Sequence, residues 1–201
     1  MFEETNWKTI GAEFMGTFFL VFIGLGAFGE LGGGFEGALA LGMTLMVLMH
    51  IFGPISGCHL NPAVTIGNMM SKKTSQEDAG LYIAGQTLGA LVAWMALAGT
   101  FSVGPIENEM LTLATAVIGT AFFVMALLST QDPWAVGGTL FLVTAMAGAG
   151  WSSGFADVNA GIDLGKFLAD MGGADGDWYY GVIGSIVGAF AGWAIKENLL
   201  D

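Results

Sequence analysis

Arginine is absent from this chain of 201 residues, and all five basic side chains are lysine. The planar guanidinium fork that grips carboxylates and phosphates in pairs of hydrogen bonds therefore has no part in what the protein does. Charge of either sign is scarce, at 11% of residues against 54% hydrophobic, whereas soluble domains carry about 25% charged residues. One cysteine, Cys58, excludes an internal disulfide and a cysteine metal cluster. The two histidines, His50 and His59, have no cysteine, second histidine or carboxylate at ligand spacing, so neither a metal nor a cofactor is expected. No nucleophile, base and acid stand in a reacting pattern and no glycine motif would cradle phosphate, which argues against an enzyme. A net charge of −12 argues against nucleic acid as a partner.

What the chain does have is long apolar runs. A bilayer-spanning helix needs about 20 mainly apolar residues, and charge-poor stretches at 7–28, 36–54, 79–101, 109–130, 134–151 and 178–196 predict six. Two further apolar runs, 61–71 and 159–170, are too short to cross and read as re-entrant half-helices. The expected fold class is an all-α membrane protein, with the lipid bilayer as its surroundings. Glu3 and Glu4 precede the first run, which has no small-residue cleavage pattern, so that run reads as a retained span. With both termini cytoplasmic, Lys8, Lys72, Lys73 and Lys196 fall inside and only Lys166 outside, as the positive-inside rule asks of a multi-pass protein of the plasma membrane. Acids such as Glu107, Glu109, Asp157 and Asp163 are then expected on outer loops.

The chain also repeats itself. Gly85-x-x-x-Gly89-Ala90-x-x-x-Trp94 recurs as Gly184-x-x-x-Gly188-Ala189-x-x-x-Trp193, and Gly16-Thr17 with Phe19 and Val21 recurs as Gly119-Thr120 with Phe122 and Val124. Residues 1–104 and 105–201 would be the two copies, within one membrane domain. Each holds three spans, an odd number, so the second enters from the opposite face and the halves are related by a two-fold axis in the membrane plane. Small residues four apart read as seams where helix backbones approach closely.

Between the second and third spans stands Ser56-Gly57-Cys58-His59-Leu60-Asn61-Pro62-Ala63-Val64-Thr65. Asn61 is a good helix cap and Pro62 suits the first helical position. The N-terminus that follows is electropositive, and the Asn61 amide can face a solute while its oxygen caps the helix. This stretch, with Ala12-Glu13-Phe14-x-Gly16-Thr17 and Leu20-Val21-Phe22 in the first span, resembles the major intrinsic proteins, the aquaporin and aquaglyceroporin family. The likeness is close over residues 10–70 and looser beyond, across all six spans in order. It implies an aquaporin-like bundle of six helices and two half-helices, usually a homotetramer with one pore per subunit, and a signature loop at Asn61, Pro62 and Ala63. It also implies that Glu13 braces backbone groups of a pore loop, against the alternative of a proton relay. His59 would be a structural hydrogen-bonder near the inner mouth.

The second half departs from the family pattern. Where Asn-Pro-Ala-Arg is usual, this chain has Asn159-Ala160-Gly161-Ile162, and Ala116 stands at the repeat position of Glu13. By the resemblance, the outer selectivity ring maps to Leu41, Ala147, Ala156 and Ile162, an apolar ring expected to pass solutes larger than water. Cys58 either lines the inner half of the pore or fills a packed loop. The functional expectation is a passive channel for water or small uncharged solutes such as glycerol, urea, ammonia or hydrogen peroxide. A cation-permeable channel and a nonconducting structural protein of the same fold are the alternatives.

Overall fold

The computed structural model describes residues 6–97, 109–146, 159–169 and 178–200. The first long helix, Trp7–Glu30, is built of α1 (Trp7–Phe19), a π-helical segment (Leu20–Leu25) and α2 (Gly26–Glu30). There follow α3 (Gly34–Ser56), α4 (Pro62–Met70), α5 (Gln76–Leu97), α6 (Glu109–Ser129), α7 (Pro133–Met146), α8 (Ala160–Ala169) and α9 (Trp178–Ile195), with a π turn at Lys196–Leu200. Trp7–Glu30, α3, α5 and α6 are long and apolar enough to cross a bilayer. The shorter α7 is apolar, and residues 147–158 lie outside the described ones.

Local chemistry sets the ends. Asn6 caps α1 by accepting from Lys8 N at 3.2 Å. Ser75 and Asp78 form a reciprocal cap at the start of α5, with Asp78 N on Ser75 Oγ at 3.0 Å and Ser75 Oγ on Asp78 Oδ2 at 2.7 Å. Before α7, Asp132 Oδ1 takes Trp134 N at 3.1 Å and Pro133 opens the helix. The third helix ends where Gly57 turns left-handed, at φ 85°.

Packing obeys the repeat. The first long helix lies on α5 as α6 lies on α9, and α3 packs on α7 across the axis. A Cβ on Gly85 would stand 3.2 Å from the Ile10 carbonyl oxygen, and one on Gly184 3.4 Å from that of Leu113. One on Gly89 would collide with the Phe14 carbonyl oxygen, and one on Gly188 would come within 2.6 Å of that of Val117. Ile10 and Leu113 are repeat partners, as are Phe14 and Val117, so the same seam is built twice. On the axis, a Cβ on Gly42 or Gly137 would lie 2.6 Å from the other's carbonyl oxygen. Outside, large apolar side chains such as Val47, Met95, Ile118 and Ile183 are half or more exposed, while Glu13, Thr65, Gln86 and Asn159 are buried. This inversion of a soluble protein's polarity is what a lipid solvent asks for.

The seam predicts a contrast within one helix. Gly89→Ala is expected to lower the melting temperature in detergent, because overpacking against a backbone atom costs about 1–3 kcal/mol. Gly80→Ala, where a Cβ meets nothing within 4 Å, is expected to leave it unchanged or slightly raised. Equal melting of both variants would show that the seam does not hold the bundle.

Candidate pore where two half-helices meet

The loop from Gly57 to Leu60 is held in a costly shape. Cys58 and Leu60 have φ of 53° and 50°, and a left-handed conformation costs a residue with a side chain about 1–2 kcal/mol. Glu13 compensates from α1. Its Oε1 accepts from Ser56 Oγ at 2.6 Å and His59 N at 3.0 Å. Its Oε2 accepts from Leu60 N at 2.8 Å and Gln86 Nε2 at 2.7 Å. A fully buried carboxylate thus receives four hydrogen bonds from neutral donors, two of them the N–H groups of the strained loop. One turn on, Gly16 leaves the space that the Leu60 side chain fills. The motif Glu13-x-x-Gly16 is a bracket for this loop.

The same network seats the loop histidine. Gln86 Nε2 also reaches Thr65 Oγ1 at 2.9 Å, and Thr65 Oγ1 lies 3.1 Å from His59 Nδ1. The His59 ring meets the Tyr82 ring edge to face, with centroids 5.3 Å apart, and Tyr82 donates to the Ser56 carbonyl at 3.2 Å. Cys58 is fully buried in the apolar core, its N–H on Ser56 Oγ at 3.1 Å.

Both half-helices start as their asparagines dictate. Asn61 Oδ1 accepts from Ala63 N at 2.9 Å behind Pro62, and Asn159 Oδ1 from Gly161 N at 3.0 Å behind Ala160. The two N-termini meet: a Cβ on Gly161 would stand 2.9 Å from Pro62 Cδ. That approach accounts for glycine where the first repeat has Ala63, despite its cost of about 1 kcal/mol in a helix. Asn159 Nδ2 donates to the Leu60 carbonyl at 3.0 Å, tying the second half-helix to the braced loop of the first.

Around this point three repeat-related pairs line one cavity: Asn61 with Asn159, Leu45 with Leu140, and Leu20 with Phe123. His59 and Leu60 complete it from the loop. About 10 Å³ is open to the centre of a water molecule, close to the minimum that a single water needs. Of the five apolar members, Leu20 and Leu60 fall within the motifs quoted from the sequence, while Leu45, Phe123 and Leu140 were not singled out from it.

Of the ring assigned by resemblance, Leu41 and Ile162 are fully buried. Leu41 fills the space opposite Gly24, and the Ile162 carbonyl accepts from Trp94 Nε1 at 3.2 Å. Ala147 and Ala156 lie outside the described residues. One expectation is overturned: Asp163, read as an outer-loop acid, sits in the first turn of α8 and is only 4% exposed. The half-helix starts at Ala160, as the apolar run at 159–170 predicts, and the burial of its first turn between neighbouring helices carries Asp163 inward. Ala116, at the repeat position of Glu13, is fully buried and fills the space beside Gly184.

Residues 1–195 match the family described as major intrinsic protein. The chain belongs to that family. It is 36% identical to Aquaporin Z of Brucella melitensis over 154 residues, covering 64% of this chain and 68% of that one. It is 31% identical to Aquaporin-1 of Ovis aries over 154 residues, 65% of this chain and 57% of that one. The matched stretch thus spans little more than half of Aquaporin-1. An X-ray structure of the aquaglyceroporin from Plasmodium falciparum superposes with a TM-score of 0.78 over 96% of each chain, at 21% identity. That likeness shows the fold: six membrane helices and two half-helices in inverted three-helix repeats. Members of this family are passive channels and not enzymes.

Proposed function

We propose that this protein is a passive channel for water and small uncharged solutes, with the path running between the two half-helix N-termini. One observation carries the reading: Asn61 and Asn159, each capping its own half-helix, flank a single cavity at the crossing of the repeats. A solute there exchanges hydration for amide donors, while the two electropositive N-termini oppose cations. The repeats are taken as 1–104 and 105–201, both termini face the cytoplasm, and the assembly is a homotetramer in the plasma membrane. The large apolar side chains exposed on the outer faces suit both lipid and neighbouring subunits.

Cation permeation is the second reading. It draws on the absence of arginine and on the carboxylate of Asp163 buried in the half-helix. Proteoliposomes tested by stopped-flow light scattering under an osmotic gradient, together with a cation-flux assay, separate the two. The channel reading expects water flux well above protein-free vesicles and cation flux at background. Cation flux as large as that of a known ion channel would favour the second reading, and no flux of either kind a nonconducting protein.

A further inference from the structure

The arginine-free sequence invites the expectation of a wide path, yet the cavity between the two half-helix N-termini is small. Its three pairs of lining residues follow the repeat, and two of them are identical in both copies: Asn61 with Asn159 and Leu45 with Leu140. The third breaks the symmetry. Leu20 in the first copy is answered by Phe123 in the second, four residues on from Gly16 and Gly119 respectively. Phe123 is 3% exposed and sits in the unbroken helix α6, whereas Leu20 opens the π-helical segment.

We propose that Phe123 sets the size limit of this channel at this cavity, so that water passes and solutes of glycerol size do not, whatever the outer ring admits. The inference rests on the channel reading above. Size and polarity point the same way. With about 10 Å³ open to a water centre, a three-carbon solute has no room. The five apolar side chains, Leu20, Leu45, Leu60, Phe123 and Leu140, offer no hydrogen bond to hydroxyls stripped of water. Water can be served by the asparagine amides one molecule at a time. A phenyl ring also fills more of the path than the isobutyl group of Leu20 that answers it in the first copy.

The test uses purified full-length protein in proteoliposomes, with stopped-flow measurement of water, urea and glycerol permeability. Wild type is expected to conduct water with glycerol at the protein-free background. Phe123→Leu, which copies the residue at position 20, and Phe123→Ala are expected to raise the ratio of glycerol to water permeability by about tenfold or more, the discrimination that pocket size typically carries. The leucine variant keeps the test available where the alanine variant fails to assemble. Substantial glycerol flux through wild type would overturn the proposal. So would a folded, water-conducting Phe123→Leu whose ratio is unchanged, and that result would leave the channel reading standing. Absence of water flux through wild type would remove the channel reading itself.

Discussion

Glu13→Leu is expected to abolish assembly of a conducting protein, and Glu13→Gln to fold with a clearly lower melting temperature. The carboxylate accepts from Ser56 Oγ, His59 N, Leu60 N and Gln86 Nε2. Leucine strands all four donors in a site that water does not reach, at about 1–3 kcal/mol for each donor left unpaired. That sum rivals the whole stability of a typical domain, about 5–15 kcal/mol. The strain at Cys58 and Leu60, with φ of 53° and 50°, would add to the loss by relaxing the loop. Glutamine keeps one acceptor oxygen and turns an NH2 toward the other pair. Placed on the Oε1 side, it meets a Ser56 hydroxyl that can rotate to accept, so the His59 N–H is the one donor stranded. Thermal unfolding of each variant in detergent, followed by flux in vesicles, checks the ranking. A Glu13→Leu protein with wild-type melting and flux would show that the loop does not depend on this brace.

Asn159→Asp is expected to cut water flux by about tenfold and to raise cation conductance above background. Aspartate caps a helix as well as asparagine does, so α8 should still begin at Ala160. What changes is the contact across the repeats. The 3.0 Å donation from Nδ2 to the Leu60 carbonyl becomes an oxygen facing an oxygen, and a lost or opposed hydrogen bond of about 1–3 kcal/mol corresponds to roughly a tenfold change. The new negative charge also offsets the two positive helix ends that repel cations. Planar-bilayer or vesicle recordings with sodium and potassium, alongside stopped-flow water flux, make the comparison. Unchanged conductance of both kinds in an assembled variant would place residue 159 away from the path.

Much of the architecture is legible in the sequence because lipid permits so few solutions. Helix bounds at Gly34–Ser56 and Glu109–Ser129 fall close to the apolar runs at 36–54 and 109–130, since charge and Gly57 end them. The Asn61 cap was legible from side-chain chemistry, and Asn159 was placed by the resemblance of its loop to the family pattern. The π-helical segment Leu20–Leu25 was not, because nothing in its apolar run distinguishes a shift in hydrogen-bond partner. Burial of Asp163 escaped notice although the half-helix at 159–170 contains it, because an acid near a helix end reads as solvated until the neighbours of that first turn are placed. The pair Leu20 and Phe123 was within reach: the matches Phe19 with Phe122 and Val21 with Val124 flank it on both sides. A search for identities passes over a position at which the copies differ.

The brace also bears on how the chain can be made. Every hydrogen bond to Glu13 comes from residues between Ser56 and Gln86, so the strained loop can be closed before the ribosome has added the second copy. The second copy has Ala116 in place of its own glutamate, and two of its polar contacts lead back to the first: Asn159 to the Leu60 carbonyl, and Trp94 to the Ile162 carbonyl. The N-terminal half can therefore serve as the template on which the C-terminal half docks during insertion, an order of assembly that a fully symmetric pair of repeats would not impose.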